Sequence, residues 1–308
     1  MAALECRPYR SVLGPVIGFA AGSIKFNHHR RDSSDLLPPV RKRASKRMTK
    51  EAKKQIIDVG DGAAIPRKSD RGLFTAWRIA FFGAIGTLGY LVTVKPDPYL
   101  NILKFVPDGI LVTFQVTLGA ILLAIVLGLI TGLGRISKNR LFNGAASLYV
   151  EIIRGIPLLV QIFYIYYALG RIIQVPAILS AIIAMAVCYG AYMGEVVRAG
   201  IESIAKGQQE AALSLGMNQR QTMIHVILPQ AVKVILPPVG NEFIALLKDS
   251  SLVSIIAVAD LLRRGREFAS ESFTYFETYT VIALIYLIIT LFLSKIIGVM
   301  EERVSVNK

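Results

Sequence analysis

Residues 105–133 read FVPDGILVTFQVTLGAILLAIVLGLITGL, an apolar run in which Asp108 is the only charged side chain. About 20 apolar residues in a helix span the hydrocarbon core of a bilayer, so this run is long enough to cross a membrane. The whole chain of 308 residues is 54% hydrophobic and 18% charged, with a mean hydropathy of +0.53. Soluble domains carry about 25% charged residues. The composition therefore predicts an integral membrane protein.

Further apolar segments lie at Leu73–Val94, Leu148–Leu169, Val175–Val197, Val226–Leu247 and Thr278–Val299. Together with the opening run they predict an all-α fold, a polytopic transmembrane helical bundle of five core spans plus one N-terminal span. The segment at 226–247 contains Pro237 and Pro238, which we expect to kink its helix and loosen its backbone hydrogen bonds. Residues 251–262 are apolar but too few to span alone.

The chain divides into a basic tail at 1–72, an added transmembrane helix at 73–95 and a transmembrane domain at 105–304. The tail holds 16 Lys or Arg against 7 Asp or Glu, and we expect it to be disordered and cytoplasmic. Because Met48 opens a stretch typical of a natural protein start, we hypothesise that residues 1–47 are a mis-assigned or dispensable extension. Basic charge also suits nucleic acid, but no aromatic interleaving accompanies it, so membrane lipid is the expected contact.

The distribution of charge predicts the orientation. With the tail inside, the cluster Arg135–Arg140, the segment Gly200–His225 and the C-terminus are also cytoplasmic. The inside loops are then richer in Lys and Arg, as the positive-inside rule requires. The outer segment at 263–266 has three arginines and counts against this orientation, although acidic residues accompany it.

The loop at 200–229 contains Glu210-Ala211-Ala212-Leu213-Ser214-Leu215-Gly216, then nine residues, then Val226-Ile227-Leu228-Pro229. This pattern predicts a helix, a turn at Gly216 and a second helix, because glycine readily takes the left-handed conformation that ends a helix. Leu213 and Leu215 place apolar side chains on a helix that water should surround. Residue properties alone leave two interpretations: a docking helix for a partner, or an amphipathic connector on the membrane surface.

The same pattern, Glu-Ala-Ala-x3-Gly-x9-Ile-x-Leu-Pro, resembles the signature of permease subunits of ABC importers, with Val226 where Ile is usual. Three further stretches are similar to the polar amino acid uptake branch of that family: Tyr149–Gln161, Tyr189–Gly200 and Asn241–Leu252. The resemblance runs from about residue 105 to 304 and does not include 1–72. It implies five core spans of the type I ABC importer permease kind, which translocate a polar and possibly basic amino acid across the inner membrane by alternating access.

The resemblance also implies partners: an ATPase dimer on the cytoplasmic side, an extracytoplasmic amino-acid-binding protein, and a second permease chain, which is identical in a homodimer. The residues expected to couple transport to the ATPase are Glu210, Ala211, Ala212, Leu213, Leu215 and Gly216. The sequence contains no Gly-x4-Gly-Lys-Ser/Thr phosphate loop, so the partner would use the ATP. No catalytic residue, cofactor or metal site is expected in this chain.

Charged residues inside the last core spans indicate where substrate would bind. Glu242 and Asp249 are seven residues apart and share one helix face, and a charge at the bilayer centre costs about 2.5–3.5 kcal/mol unless it is solvated or paired. Two carboxylates suit an ammonium group, and these positions resemble the substrate contacts of a basic amino acid permease. Arg154 is either a clamp for a carboxylate or an interfacial anchor. Ser250 and Ser251 complete the expected site.

Alternatives remain at each of these positions. Glu242 and Asp249 would be structural if they paired with Lys248, Arg154 or a partner chain. Glu195 and Arg198 lie near the cytoplasmic end, where a structural role is favoured. A stand-alone secondary transporter or channel is the rival function, but it would give the coupling pattern no purpose, and the sequence has no visible inverted repeat. A membrane enzyme is a third class without a supporting constellation of residues.

Overall fold

The computed structural model describes residues 75–306, and within them the chain is helical without a β-strand. The helices are α1 (Ala76–Val94), α2 (Pro96–Phe105), α3 (Pro107–Arg135), α4 (Arg140–Gly155), α5 (Leu158–Phe163), α6 (Ala177–Glu202), α7 (Lys206–Ser214), α8 (Gln219–Thr222), α9 (Leu228–Asp249), α10 (Leu261–Ser272) and α11 (Tyr275–Val306). The prediction of an all-α fold is confirmed. The expectations for residues 1–72 lie outside the described residues.

Helices long and apolar enough to cross a bilayer are α1, α3, α6, the run Gln219–Ile256 and α11. The bent pair of helices at Arg140–Gly155 and Leu158–Arg171 adds a sixth crossing if it is one span. These helices agree with a polytopic membrane bundle. Short helices such as α2 and α7 connect the long ones. Neither has the roughly 17 residues that a helix needs to cross the hydrocarbon core.

The centre of the bundle is the close pair α3 and α6. Small residues allow the two backbones to approach: a Cβ at Gly132 would lie 2.7 Å from the Cβ of Val197, and one at Gly190 would lie 2.8 Å from the Cβ of Leu127. Lipid offers no hydrophobic driving force between helices, so this tight van der Waals packing holds the pair together. Fully buried Met185 and Met193 on α6 fill the space around it.

The segment predicted as a span at Leu148–Leu169 contains a sharp bend. The helices on either side of Pro157 differ in direction by 102°. Proline disfavours the helical region for the residue before it, and Ile156 is extended, with φ −109° and ψ 128°. Buried Gln161 holds the corner, because its Nε2 donates to the carbonyl oxygens of Ile153 and Ile156, each at 2.8 Å. The carbonyls freed by the bend are thereby satisfied.

Helix α9 continues through Pro237 and Pro238, and a kink at these two prolines stays a prediction. It runs from Leu228 to Asp249 with Pro237 and Pro238 inside it, and the break comes later, where a 3-10 turn follows at Ser250–Ile256. Ala257 ends that turn with φ 65°. Neighbouring helices satisfy or shield the carbonyl groups that a proline frees, so a membrane helix tolerates prolines without ending.

The outer arginines that count against the orientation rule are largely paired. Arg263 donates to Glu267 at 2.8 Å, and Arg264 reaches Asp108 at 2.7 Å and Glu267 at 3.1 Å. Their positive charge is therefore balanced locally by acidic partners. The pair Arg264–Asp108 also joins α10 to the start of α3.

Candidate functional site

Three predicted site residues, Arg154, Glu242 and Asp249, line one cavity of about 410 Å³. The cavity lies where the bend after α4 faces α6 and α9. Its volume is within the range of about 300–1,000 Å³ typical of small-molecule sites. Its other lining residues are Gly155, Ile156, Pro157, Leu158, Cys188, Tyr189, Tyr192 and Ala245.

The two carboxylates lie on the face of α9 that points toward α6. Asp249 Oδ2 accepts a hydrogen bond of 2.8 Å from the hydroxyl of Tyr189, a residue that is 4% exposed. Glu242 is half-buried and lines the same cavity two turns earlier. The hydrogen bond from Tyr189 fixes one oxygen of Asp249 and leaves the carboxylate able to accept from a ligand, since an ionised carboxylate has about four acceptor positions.

Arg154 stands on the opposite wall, in the last turn of α4. Its guanidinium carbon lies 5.3 Å from the centre of the Tyr192 ring, a cation–π geometry. Among the ion pairs of residues 75–306, none joins Arg154 or Lys248 to either carboxylate of α9. The described chain therefore does not neutralise the cavity by pairing its own charges. It presents positive and negative groups to the same space.

The structure separates the two serines from this group. Ser250 is fully buried and its hydroxyl donates to the carbonyl oxygen of Leu247 at 2.7 Å. Ser251 is half-buried, and neither serine lines the cavity. The reason is the turn after Asp249: the α-helix tightens there to a 3-10 turn, which shifts the face on which following residues lie.

The sequence reasoning missed Tyr189, Tyr192 and Pro157 as lining residues. A signal was available, because Tyr189 and Tyr192 are three residues apart and therefore share a face of α6. They are large and hydroxyl-bearing in a helix otherwise rich in alanine and glycine. Pro157 lines the cavity because the chain bends there, and the apolar sequence on both sides of it did not indicate the bend.

The loop predicted to couple the chain to an ATPase forms the expected helix and turn. Helix α7 covers Lys206–Ser214, and Gly216 follows with φ +83° while its N–H donates to the carbonyl oxygen of Leu213 at 3.0 Å. The left-handed turn predicted at Gly216 is confirmed. Helix α8 then starts with a capping box formed by Asn218 and Gln221.

The six predicted coupling residues differ in exposure. Leu215 is 83% exposed and Leu213 is 39% exposed, whereas Ala212 is buried against the rest of the loop. Glu210 and Ala211 are exposed on α7, next to the turn at Gly216. The loop therefore presents apolar side chains outward and uses Ala212 for its own packing.

A network of charges fixes this end of the bundle. Glu195 of α6 pairs with both Arg135 and Arg198, and Arg198 also reaches Glu202 at 2.5 Å. Lys138 donates to Gln219 of α8 at 2.8 Å. The structural role favoured for Glu195 and Arg198 agrees with this arrangement. Arg135 at the end of α3 thereby contacts α6, and Lys138 after it contacts the loop.

In residues 75–306, no group of three or more His, Cys, Asp or Glu side chains is placed to hold a metal ion. The charged groups of the cavity come from α4 and α9, and include a cation. What this arrangement can do chemically is to bind a small molecule that carries both signs of charge.

Comparison with known proteins places this geometry in a family. The family model described as "Binding-protein-dependent transport system inner membrane component" matches residues 124–306. The chain is 36% identical over 222 residues to the "Putative glutamine transport system permease protein GlnP" of Rickettsia typhi, which covers 71% of this chain and 100% of that protein. It is 41% identical over 199 residues to the "L-cystine transport system permease protein TcyB" of Bacillus subtilis, covering 64% and 85% of the two chains.

Solved structures show the same fold. A protein described as "Crystal structure of an amino acid ABC transporter with histidines" matches with a TM-score of 0.64 and 41% identity, over 66% of this chain and 97% of that one. A chain of the MetNI methionine ABC transporter matches with a TM-score of 0.58 at 20% identity, over 68% and 98% of the two chains. The second match shows likeness of fold alone.

Proposed function

Because the chain belongs to the family of inner membrane components of binding-protein-dependent transport systems, we propose that it is the permease subunit of an ABC importer that moves a polar amino acid across the inner membrane. The family membership confirms the resemblance noticed in the loop at Glu210–Pro229 and assigns the chain to multi-pass membrane proteins. The observation that carries the choice of substrate is the cavity shared by Arg154, Glu242 and Asp249.

The charges of the cavity match those of a free amino acid. The α-ammonium, or a basic side chain, is attracted to Glu242 and Asp249, while the α-carboxylate is attracted to the guanidinium of Arg154. Charge-assisted hydrogen bonds of this kind are about twice as strong as neutral ones. The names of the similar proteins, which include glutamine, cystine and amino acid transport, support the same substrate class.

Transport by this chain would follow alternating access, in which the cavity opens to one side of the membrane and then to the other. The energy would come from a separate ATPase dimer bound at the exposed apolar residues of α7, since the sequence has no phosphate loop. A binding protein would deliver substrate from outside, and a second copy of this chain would complete the membrane domain. The N- and C-termini would lie on the cytoplasmic side.

Reconstitution tests the proposal. The chain is incorporated in proteoliposomes with its co-purifying ATPase and binding protein, and uptake of radiolabelled polar amino acids is measured with and without ATP. We expect uptake that requires both ATP and the binding protein. Uptake by the permease alone without ATP would instead establish the stand-alone transporter, and uptake of a substrate that is not an amino acid would overturn the assignment of the cavity.

A further inference from the structure

A second cavity of about 490 Å³ lies between the first turns of α1 and the last turns of α11. Phe81, Phe292 and Ile296 give it apolar walls, and Trp77, Lys295 and Arg303 add polar groups. Helix α1 precedes residues 124–306, so this cavity joins a helix outside the family match to one inside it. Neither the substrate cavity nor the coupling loop contributes a residue to it.

The cavity has fixed walls. The indole Nε1 of Trp77 donates to the carbonyl oxygen of Leu291 at 2.8 Å, which fastens α1 to α11. The Trp77 ring stacks on Phe81, with centroids 5.0 Å apart and an angle of 11° between the ring planes. On the other side, Phe292 is 55% exposed and Ile296 is 43% exposed. The groove is therefore fixed on the side of α1 and open along α11, where Phe292 and Ile296 are exposed.

The charge in this groove is positive. Lys295 Nζ lies 5.7 Å from the centre of the Trp77 ring, and in the described part of the chain no ion pair joins Lys295 or Arg303 to a carboxylate. The two residues are eight apart on one helix, about 12 Å along its axis. Helix α11 continues to Val306, past the apolar segment Thr278–Val299. Arg303 therefore lies beyond that segment, at the expected level of the lipid headgroups, and Lys295 lies about one helical turn before its end.

We propose that this groove binds one anionic phospholipid, with its phosphate between Lys295 and Arg303 and an acyl chain along Phe81, Phe292 and Ile296. Charge complementarity selects an anionic headgroup, because two cations line the groove and no ion pair among residues 75–306 joins either of them to a carboxylate. Tryptophan and lysine at the end of a membrane helix are suited to the headgroup region. The lipid would bridge α1 and α11 and stabilise the added helix against the bundle.

Native mass spectrometry of the purified, delipidated full chain tests the proposal. The protein is titrated with phosphatidylglycerol and, separately, with phosphatidylcholine. Each Lys or Arg near the headgroups contributes about 1 kcal/mol, which is about fivefold in affinity. We expect the wild type to prefer phosphatidylglycerol. Replacing both cations (Lys295→Gln with Arg303→Gln) should weaken its binding about 25-fold and leave phosphatidylcholine binding unchanged.

Matched variants keep the test specific. Lys233→Gln removes an exposed lysine of α9 and should retain wild-type binding, and Lys295→Arg should keep the preference because it keeps the charge. If the double variant loses its helical circular dichroism, Lys295→Gln alone should still show a fivefold loss. Equal binding of the two lipids by the wild type, unchanged binding by these glutamine variants, or displacement of phosphatidylglycerol by millimolar inorganic phosphate would each overturn the proposal.

Discussion

The central cavity and the coupling loop are opposites in composition. The cavity places Arg154, Glu242 and Asp249 inside a bundle whose surroundings favour apolar groups. The loop places Leu213 on α7 and Leu215 directly after it, outside the long apolar spans, where water favours polar groups. The charged side chains of the cavity are unfavourable in apolar surroundings, and the apolar side chains of the loop are unfavourable in water.

This contrast indicates that both regions are incomplete in the single chain. A charge in the membrane costs free energy that a ligand of opposite charge offsets, and an exposed apolar patch is stabilised when a partner covers it. The cavity would be completed by a small charged molecule and the loop by a protein surface.

The largest effect is expected from Asp249→Asn, which removes one of the two negative charges of the cavity, leaves Glu242 in place and retains the size of the side chain. We expect ATP-dependent uptake to fall about 10- to 150-fold, since charged hydrogen bonds contribute about 1.5–3 kcal/mol and their loss leaves the ligand's ammonium poorly solvated. Uptake in proteoliposomes and assembly by size-exclusion chromatography are measured together. Glu301→Gln, which alters an exposed carboxylate at the end of α11, should transport normally. Normal uptake by Asp249→Asn would remove Asp249 from the site.

Leu215→Glu tests the other region. Covering a leucine contributes about 1.5–3 kcal/mol, so replacing it with a charge should weaken ATPase association about 10- to 100-fold. Pull-down titration with the ATPase measures this, and substrate binding to the cavity should be unaffected. Ile172→Glu is the matched control: Ile172 is 81% exposed, as Leu215 is 83% exposed, but it lies in the turn before α6, away from the loop. If both variants bind the ATPase equally well, the loop is not the docking surface.

Asp260 is a buried acidic residue whose carboxylate is hydrogen-bonded by the chain itself. It caps α10 by accepting from the N–H groups of Leu262 and Arg263, each at 3.1 Å. Burial nevertheless raises its pKa to about 6, above the ordinary value of 3.8. The folded state then holds the proton more tightly than the unfolded chain, so the stability gained from protonation is complete below about pH 4 and is lost as pH rises toward 6.

The replacement Asp260→Asn should therefore remove this pH dependence while it retains the helix cap, since asparagine is a good N-cap residue. The wild-type free energy of unfolding should fall by about 2–3 kcal/mol from pH 4 to 6.5, and the variant's should change much less. Thermal unfolding in detergent across that range measures both. Glu271→Gln, at an exposed position of the same helix, should keep the wild-type slope. An unchanged slope in the Asp260 variant would show that another group titrates.

The smallest effect is expected from the pair Gly216→Ala and Gly207→Ala. A Cβ at either position meets no atom within 4 Å, but only Gly216 has a left-handed backbone, with φ +83°. Alanine there costs about 1–2 kcal/mol, whereas alanine at Gly207, inside α7, should stabilise the helix by about 0.5–1 kcal/mol. Amide hydrogen exchange of α7 measures both changes. Faster exchange in both variants, or in neither, would contradict the role of the turn.

The sequence predicted the spans and the loop better than the details of the cavity. Long apolar runs and the turn at Gly216 depend on local properties, and these agree with the structure. The bend at Ile156–Pro157 did not follow from hydropathy, because apolar residues continue through it. The two prolines of α9 do not end its helix, which continues from Leu228 to Asp249.

The sequence by itself determined that this is a membrane protein with a coupling pattern between two spans, because hydropathy and a local motif need no knowledge of distant contacts. Only the tertiary structure decided which charged residues meet. Arg154 and Asp249 are 95 positions apart in number, and they share a cavity because the chain bends by 102° after α4 and because Tyr189 of α6 reaches Asp249. Such meetings depend on helix direction and packing, which residue order does not specify locally.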